Sequence, residues 1–231
     1  MNLSENELRD ILFNNYKDNM SQIVVGRREP VEWTEGGFPP IRFLLQRAVE
    51  EKINKIVDGL NSLILAAKEL RLEKGGASTT RVDLLGYSEQ IGLTIIELKK
   101  SGQTERQAFT ELLAYANHFC SIFPGLTENA INTILIAPMN SRTVKDAYVQ
   151  EVLSNNKKSL ALTHKVQNGV ISLSVYYPDE SYYRWFENNL LDDRSMYVVA
   201  IAFPVIDGWI DLDSNSSGDM HDYSRNILNT I

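Results

Sequence analysis

Arg81-Val82-Asp83-Leu84-Leu85-Gly86, followed by Gly92-Leu93-Thr94-Ile95-Ile96-Glu97-Leu98-Lys99-Lys100, is the stretch on which the fold turns. Residues 79–87 have a period close to two, and residues 92–99 are apolar on both faces, as in a central strand. Paired as a hairpin about Gln90, the two strands set Asp83 opposite Glu97, and residues directly opposite share a face. Glu97 and Lys99, two apart on one strand, also point to one side. Two carboxylates and an ammonium therefore meet at one spot. Burying two carboxylates together is costly unless a cation neutralises them, and hard oxygen ligands suit Mg²⁺. Alone, Glu97-Leu98-Lys99 also reads as a strand edge with solvated charges. The hairpin spacing, the apolar strands and the helix that follows single it out.

Outward from the hairpin, helical and strand periods alternate. Ser4 with Glu7 forms a capping box for a helix through Leu8, Ile11 and Leu12. Residues 25–40, rich in Gly, Pro and charge, read as a loop. A second helix from Ile41 carries Val49, Ile53, Ile56, Val57 and Leu60 on one stripe. A strand at 69–73 and a turn at 74–78 lead into the central hairpin. Residues 103–119 return to helical spacing, and 131–137 form a short apolar run bounded by Pro138, a buried strand reached by a helical crossover. Strands are expected at 160–166, 170–177 and 197–203, with helices at 144–153, 182–190 and 223–231. Residues 211–219 are polar and turn-rich, without the glycine a calcium loop needs at its sixth place.

Arg81 to Gly86 followed by Leu93 to Lys100 resembles the D…(D/E)-x-K signature of the PD-(D/E)XK, restriction-endonuclease-like nuclease superfamily. The resemblance covers roughly residues 41–138. It implies an α/β fold with a mixed central sheet flanked by helices, to which the C-terminal residues add further strands and helices. It also implies Mg²⁺ or Mn²⁺ bound through Asp83 and Glu97, with Lys99 as the third catalytic residue, and hydrolysis of phosphodiesters in nucleic acid, DNA ahead of RNA. Relatives carry Gln-x-x-x-Tyr on the following helix; here Glu111 and Tyr115 occupy those places, and they are candidate substrate-binding residues together with Lys100. Relatives also place a glutamate on the helix before the first core strand. Helical phase favours Glu50, on the flank of the buried stripe, over Glu51, which lies nearly opposite.

The expected organisation is an N-terminal helix and loop over 1–40, a nuclease core over 41–140, and an α/β extension over 141–231. The chain has 231 residues, 43% hydrophobic and 23% charged, a globular composition. Cys120 is the only cysteine, which excludes a disulfide framework and a thiolate zinc site and points to a reducing, cytoplasmic compartment. No leader-like segment and no bilayer-length apolar run is visible, so no membrane partner is expected; self-association is left open. The formal charge of -7 argues against coating nucleic acid by bulk electrostatics, but not against a metal site built from carboxylates. A catalytically silent module of the same fold, binding nucleic acid or protein, is the alternative function. The complete set of Asp83, Glu97 and Lys99 favours the enzyme.

Overall fold

In a computed structural model, which describes residues 3–72, 80–100, 102–167 and 169–190, the chain forms an α/β fold. Contacts divide it into a unit Met1–Leu191 and a unit Asp192–Ile231. The strand expected at 197–203, the turn-rich 211–219 and the helix expected at 223–231 lie outside the described residues, as does the turn at 74–78.

Five helices are described, α1 (Glu5–Asn15), α2 (Ile41–Gly59), α3 (Gly102–Ile122), α4 (Arg142–Val149) and α5 (Glu180–Leu190). The strands are β1 (Val24–Val25), β2 (Ile64–Arg71), β3 (Arg81–Ser88), β4 (Gly92–Leu98), β5 (Asn132–Ile136), β6 (Ser159–Gln167) and β7 (Val170–Tyr176). They form one seven-stranded mixed sheet in the order β1-β7-β6-β5-β4-β3-β2. The meander β2-β3-β4 is antiparallel, and β5 then joins β4 in parallel after the α3 crossover. That crossover is required because parallel neighbours cannot be joined by a tight turn. The strands β1, β6 and β7, from the segments expected to flank the core, are hydrogen-bonded members of the same sheet.

Local chemistry accounts for the start of α1 and both ends of α2. Ser4 and Glu7 form the expected reciprocal cap, with the Ser4 N–H donating to Glu7 Oε2 at 2.7 Å and the Glu7 N–H to Ser4 Oγ at 3.2 Å. Helix α2 starts directly after Pro40, whose fixed φ suits a helix entrance but which has no N–H to continue one backward. It ends at Gly59, where a Cβ would lie only 2.3 Å from Ile91 Cγ2, so the glycine lets the helix end press onto the β3-β4 turn. Two expectations shift. Strand β2 begins at Ile64, before the alternating residues, because a bulge between Leu65 and Ala67 breaks its period. Helix α4 stops at Val149 and passes into a π-helical turn over Gln150–Ser154.

Ile95, Ile96, Ile134, Leu135, Leu160 and Leu162 are fully buried at the sheet centre. No helix among the described residues is long and apolar enough to cross a membrane.

Candidate active site

Strands β3 and β4 pair with Leu84 opposite Ile96 and Leu85 opposite Ile95, the register mirrored about Gln90. Past Leu84 the Asp83 carboxylate turns into the ladder, and its Oδ2 accepts the Leu98 backbone N–H at 2.9 Å. Glu97, one residue from that N–H, is 3% exposed. Lys99 Nζ lies 2.6 Å from Glu97 Oε1 and 2.6 Å from Glu111 Oε2. Helix α3 follows β4 after a short connection, and this places Glu111 and the buried Tyr115 over the same face. The structure thus brings Asp83, Glu97, Lys99, Glu111 and Tyr115 to one open cleft of about 500 Å³.

The electrostatics of this cleft are unbalanced. Burial pushes the Glu97 carboxyl up to about 9, and repulsion from Asp83 and Glu111 adds to it, against the opposing pull of Lys99. Burial also raises Asp83 above its ordinary value, opposed by the Leu98 N–H, Lys99 and Arg9. Burial disfavours the Lys99 ammonium, but the two glutamates outweigh it and hold the lysine well above its usual range. Burial and the carboxylates keep the Tyr115 hydroxyl protonated, so it remains a donor. Glu97 Oε2 is buried with no hydrogen-bond partner among the described residues. A buried carboxylate oxygen left unpaired is costly; a proton removes the cost in the metal-free chain, and a metal cation can take the proton's place.

The cleft contains three charged residues that sequence reasoning missed. Arg9 of α1 sets Nη1 3.4 Å from Asp83 Oδ1 and Nη2 3.3 Å from Glu69 Oε1. Glu69 also accepts from Arg81 Nη1 at 3.3 Å. Arg81 had a signal, since it lies two residues before Asp83 and so on its face of β3. Arg9 had only its place beside the Leu8 and Leu12 stripe, and Glu69 had none.

Glu50 is not at this cleft, contrary to the expectation from helical phase. The phase itself is right, because Glu50 is fully buried with Val49, Ile53 and Ile56 while Glu51 is exposed and pairs with Arg47. The wall it meets differs, since α2 packs against α5 and β6. There Glu50 pairs with Arg28 and accepts from the Val31 N–H at 2.9 Å and from Gln46 Nε2 at 3.0 Å. The helix that reaches Asp83 is α1. The Lys100 side chain is exposed, and its backbone N–H donates to Glu5 Oε1 at 2.7 Å.

Residues 12–137, more than half of the chain, match the family described as type I restriction enzyme R protein N terminus (HSDR_N). The chain belongs to that family. The HSDR_N match contains Asp83, Glu97, Lys99, Glu111 and Tyr115 and begins three residues after Arg9. No curated protein and no solved structure matches the chain.

Proposed function

We propose that this HSDR_N chain is a divalent-metal-dependent nuclease of the PD-(D/E)XK type that hydrolyses phosphodiester bonds in DNA, with Asp83, Glu97 and Lys99 as its catalytic core. The observation that carries this reading is the unpaired, buried Glu97 Oε2 beside the Asp83 carboxylate. Among the described residues no cage of three or more His, Cys, Asp or Glu side chains is present. Mg²⁺ or Mn²⁺ would be held by Asp83 and Glu97, since Mg²⁺ keeps several waters and takes one or two carboxylates plus substrate phosphates. The metal would supply Lewis-acid polarisation of the phosphodiester and neutralise the carboxylate pair.

The chain's own groups have separate tasks. Asp83 is fixed through Oδ2 by the Leu98 N–H, which leaves Oδ1, 3.4 Å from Arg9 Nη1, as the oxygen for the metal. The Lys99 ammonium, held by Glu97 and Glu111, orients the attacking water and stabilises negative charge as it develops on the phosphate. Tyr115 donates a hydrogen bond to substrate, and Lys100, exposed at the end of β4, meets the DNA backbone. Membership of a restriction-enzyme family supports DNA as the polymer.

One observation favours a silent binding module instead. Lys99 is already neutralised by two carboxylates, one of them where relatives carry glutamine. Incubating the protein with labelled single- and double-stranded DNA and RNA, with and without Mg²⁺ or Mn²⁺, separates the readings. Metal-dependent cleavage of DNA supports the nuclease; metal binding without cleavage of any substrate supports the module; metal-independent cleavage rejects the mechanism.

A further inference from the structure

Arg9 is 7% exposed, and so thorough a burial of a guanidinium is tolerated only when it is paired. Its pairs are loose. The contacts to Asp83 at 3.4 Å and Glu69 at 3.3 Å exceed the roughly 2.7–2.9 Å of a good charge-assisted bond. Its Nε is buried without a hydrogen-bond partner among the described residues. Arginine has five N–H donors in a rigid fork, so this one retains donors for a further acceptor.

The surroundings indicate what the acceptor is. Glu69 has φ +50° within strand β2, a left-handed conformation that a non-glycine side chain seldom adopts, and its carboxylate holds both Arg9 and Arg81. One wall of the cleft is thus the alternating series Asp83, Arg9, Glu69, Arg81. The cleft lining holds four carboxylates, Glu69, Asp83, Glu97 and Glu111, against three cations, Arg9, Arg81 and Lys99. With a divalent cation bound and all four carboxylates ionised, the lining carries one positive charge in excess, and a single phosphodiester closes it. A cation on Asp83 also competes with Arg9 for the same Oδ1. The displaced guanidinium is then beside the phosphate that such a cation draws in.

We propose that Arg9 is a substrate-binding residue that grips a non-bridging oxygen of the DNA phosphate with the donors its two carboxylate partners leave free. This rests on the nuclease reading above and adds a helix-borne phosphate contact to it.

The test uses the full chain with Arg9→Gln, Arg9→Lys and Glu69→Gln, folding being checked by circular dichroism and thermal melting. Affinity for a labelled duplex is read by fluorescence anisotropy across a salt series with Ca²⁺ in place of Mg²⁺, and Mg²⁺ affinity is read separately by calorimetry. Arg9→Gln is expected to weaken duplex binding about tenfold and to lower the salt slope by about one. Its Mg²⁺ affinity should be equal or tighter. Arg9→Lys should keep the salt slope and lose part of the affinity, because charge remains and the fork does not. Glu69→Gln, which removes a competing carboxylate, should tighten duplex binding, and this arm together with Arg9→Lys decides the matter if Arg9→Gln does not fold. Unchanged duplex binding and salt slope in Arg9→Gln, with weakened Mg²⁺ affinity, would overturn the proposal and leave Arg9 as a support for Asp83. Absence of cleavage by the wild-type chain bears on the nuclease reading alone, since none of these readouts depends on it.

Discussion

The Asp83 carboxylate accepts the Leu98 backbone N–H at 2.9 Å, so a side chain of β3 takes a place in the ladder of β4. This one bond fixes a metal-ligand candidate to the strand that carries the other. Replacing Asp83 tests the two roles separately. Asp83→Asn keeps an acceptor for the Leu98 N–H and loses the charge, so stability should change by less than about 1 kcal/mol while metal binding is lost. Asp83→Ala loses both and should cost about 1–3 kcal/mol, because the buried Leu98 N–H is left unpaired. Chemical denaturation with metal titration by calorimetry checks this; equal stability of the two variants would refute the ladder role.

Glu97 makes the metal-free protein sensitive to pH in a stated direction. Its carboxyl is raised from 4.5 to about 9 by burial, with Asp83 and Glu111 adding to the shift, so the folded chain binds this proton more tightly than the unfolded one. The resulting stability is fully present below 4.5 and is lost as pH rises through about 9. Glu97→Gln removes that dependence, so its melting temperature should increasingly exceed that of wild type from pH 5 to pH 9. The slope due to this group reaches at most about 1.4 kcal/mol per pH unit. Metal binding to wild type should release close to one proton at pH 7, read from calorimetry in buffers of different ionisation heat. No proton release at pH 7 would place the metal elsewhere.

The buried Glu50 should matter for folding and not for chemistry. It is fully buried, and it ties the chain around Arg28 and Val31 to α2. Glu50→Ala leaves the Val31 N–H and the Arg28 guanidinium without their acceptor. Because Arg28 is about half exposed, the cost should be about 1–3 kcal/mol rather than that of a fully buried pair. Metal affinity and cleavage at a temperature where the variant is folded should match wild type. A selective loss of metal binding would return Glu50 to the site.

What was legible follows from the range of each signal. Asp83, Glu97 and Lys99 were readable because a two-residue period and a mirrored hairpin turn fix which side chains share a face, and both lie within 17 residues of chain. Glu50 shows the limit of the same logic, since helical phase says that a residue is buried but not which wall it meets. Arg9 reaches Asp83 across 74 residues, and Glu69 enters the cleft through a left-handed backbone, so neither follows from periodicity. Strand β1 is two residues long and exists only through its pairing with β7, which no local pattern foretells.

Lys99 lies between Glu97 and Glu111, and the two carboxylates have different expected roles. Glu97 is nearly fully buried and needs a cation, whereas Glu111 is about one-third exposed and faces the cleft through which a phosphate would enter. Glu111→Gln removes one negative charge from that entrance and keeps the shape of the side chain. Duplex affinity in Ca²⁺ should rise about two- to tenfold, the range for relieving one partly screened like charge. Metal affinity should change little, because Asp83 and Glu97 remain. Lys99→Ala should instead lower cleavage about 100-fold or more while metal binding persists, since it removes a charge that acts on the water and the phosphate and leaves the ligating oxygens in place. Rates under single-turnover conditions, beside metal titrations of both variants, check the division. If Glu111→Gln lost metal binding and Lys99→Ala did not alter the rate, Glu111 would be the ligand and Lys99 only its counter-ion, and the assignment of roles along β4 and α3 would be reversed.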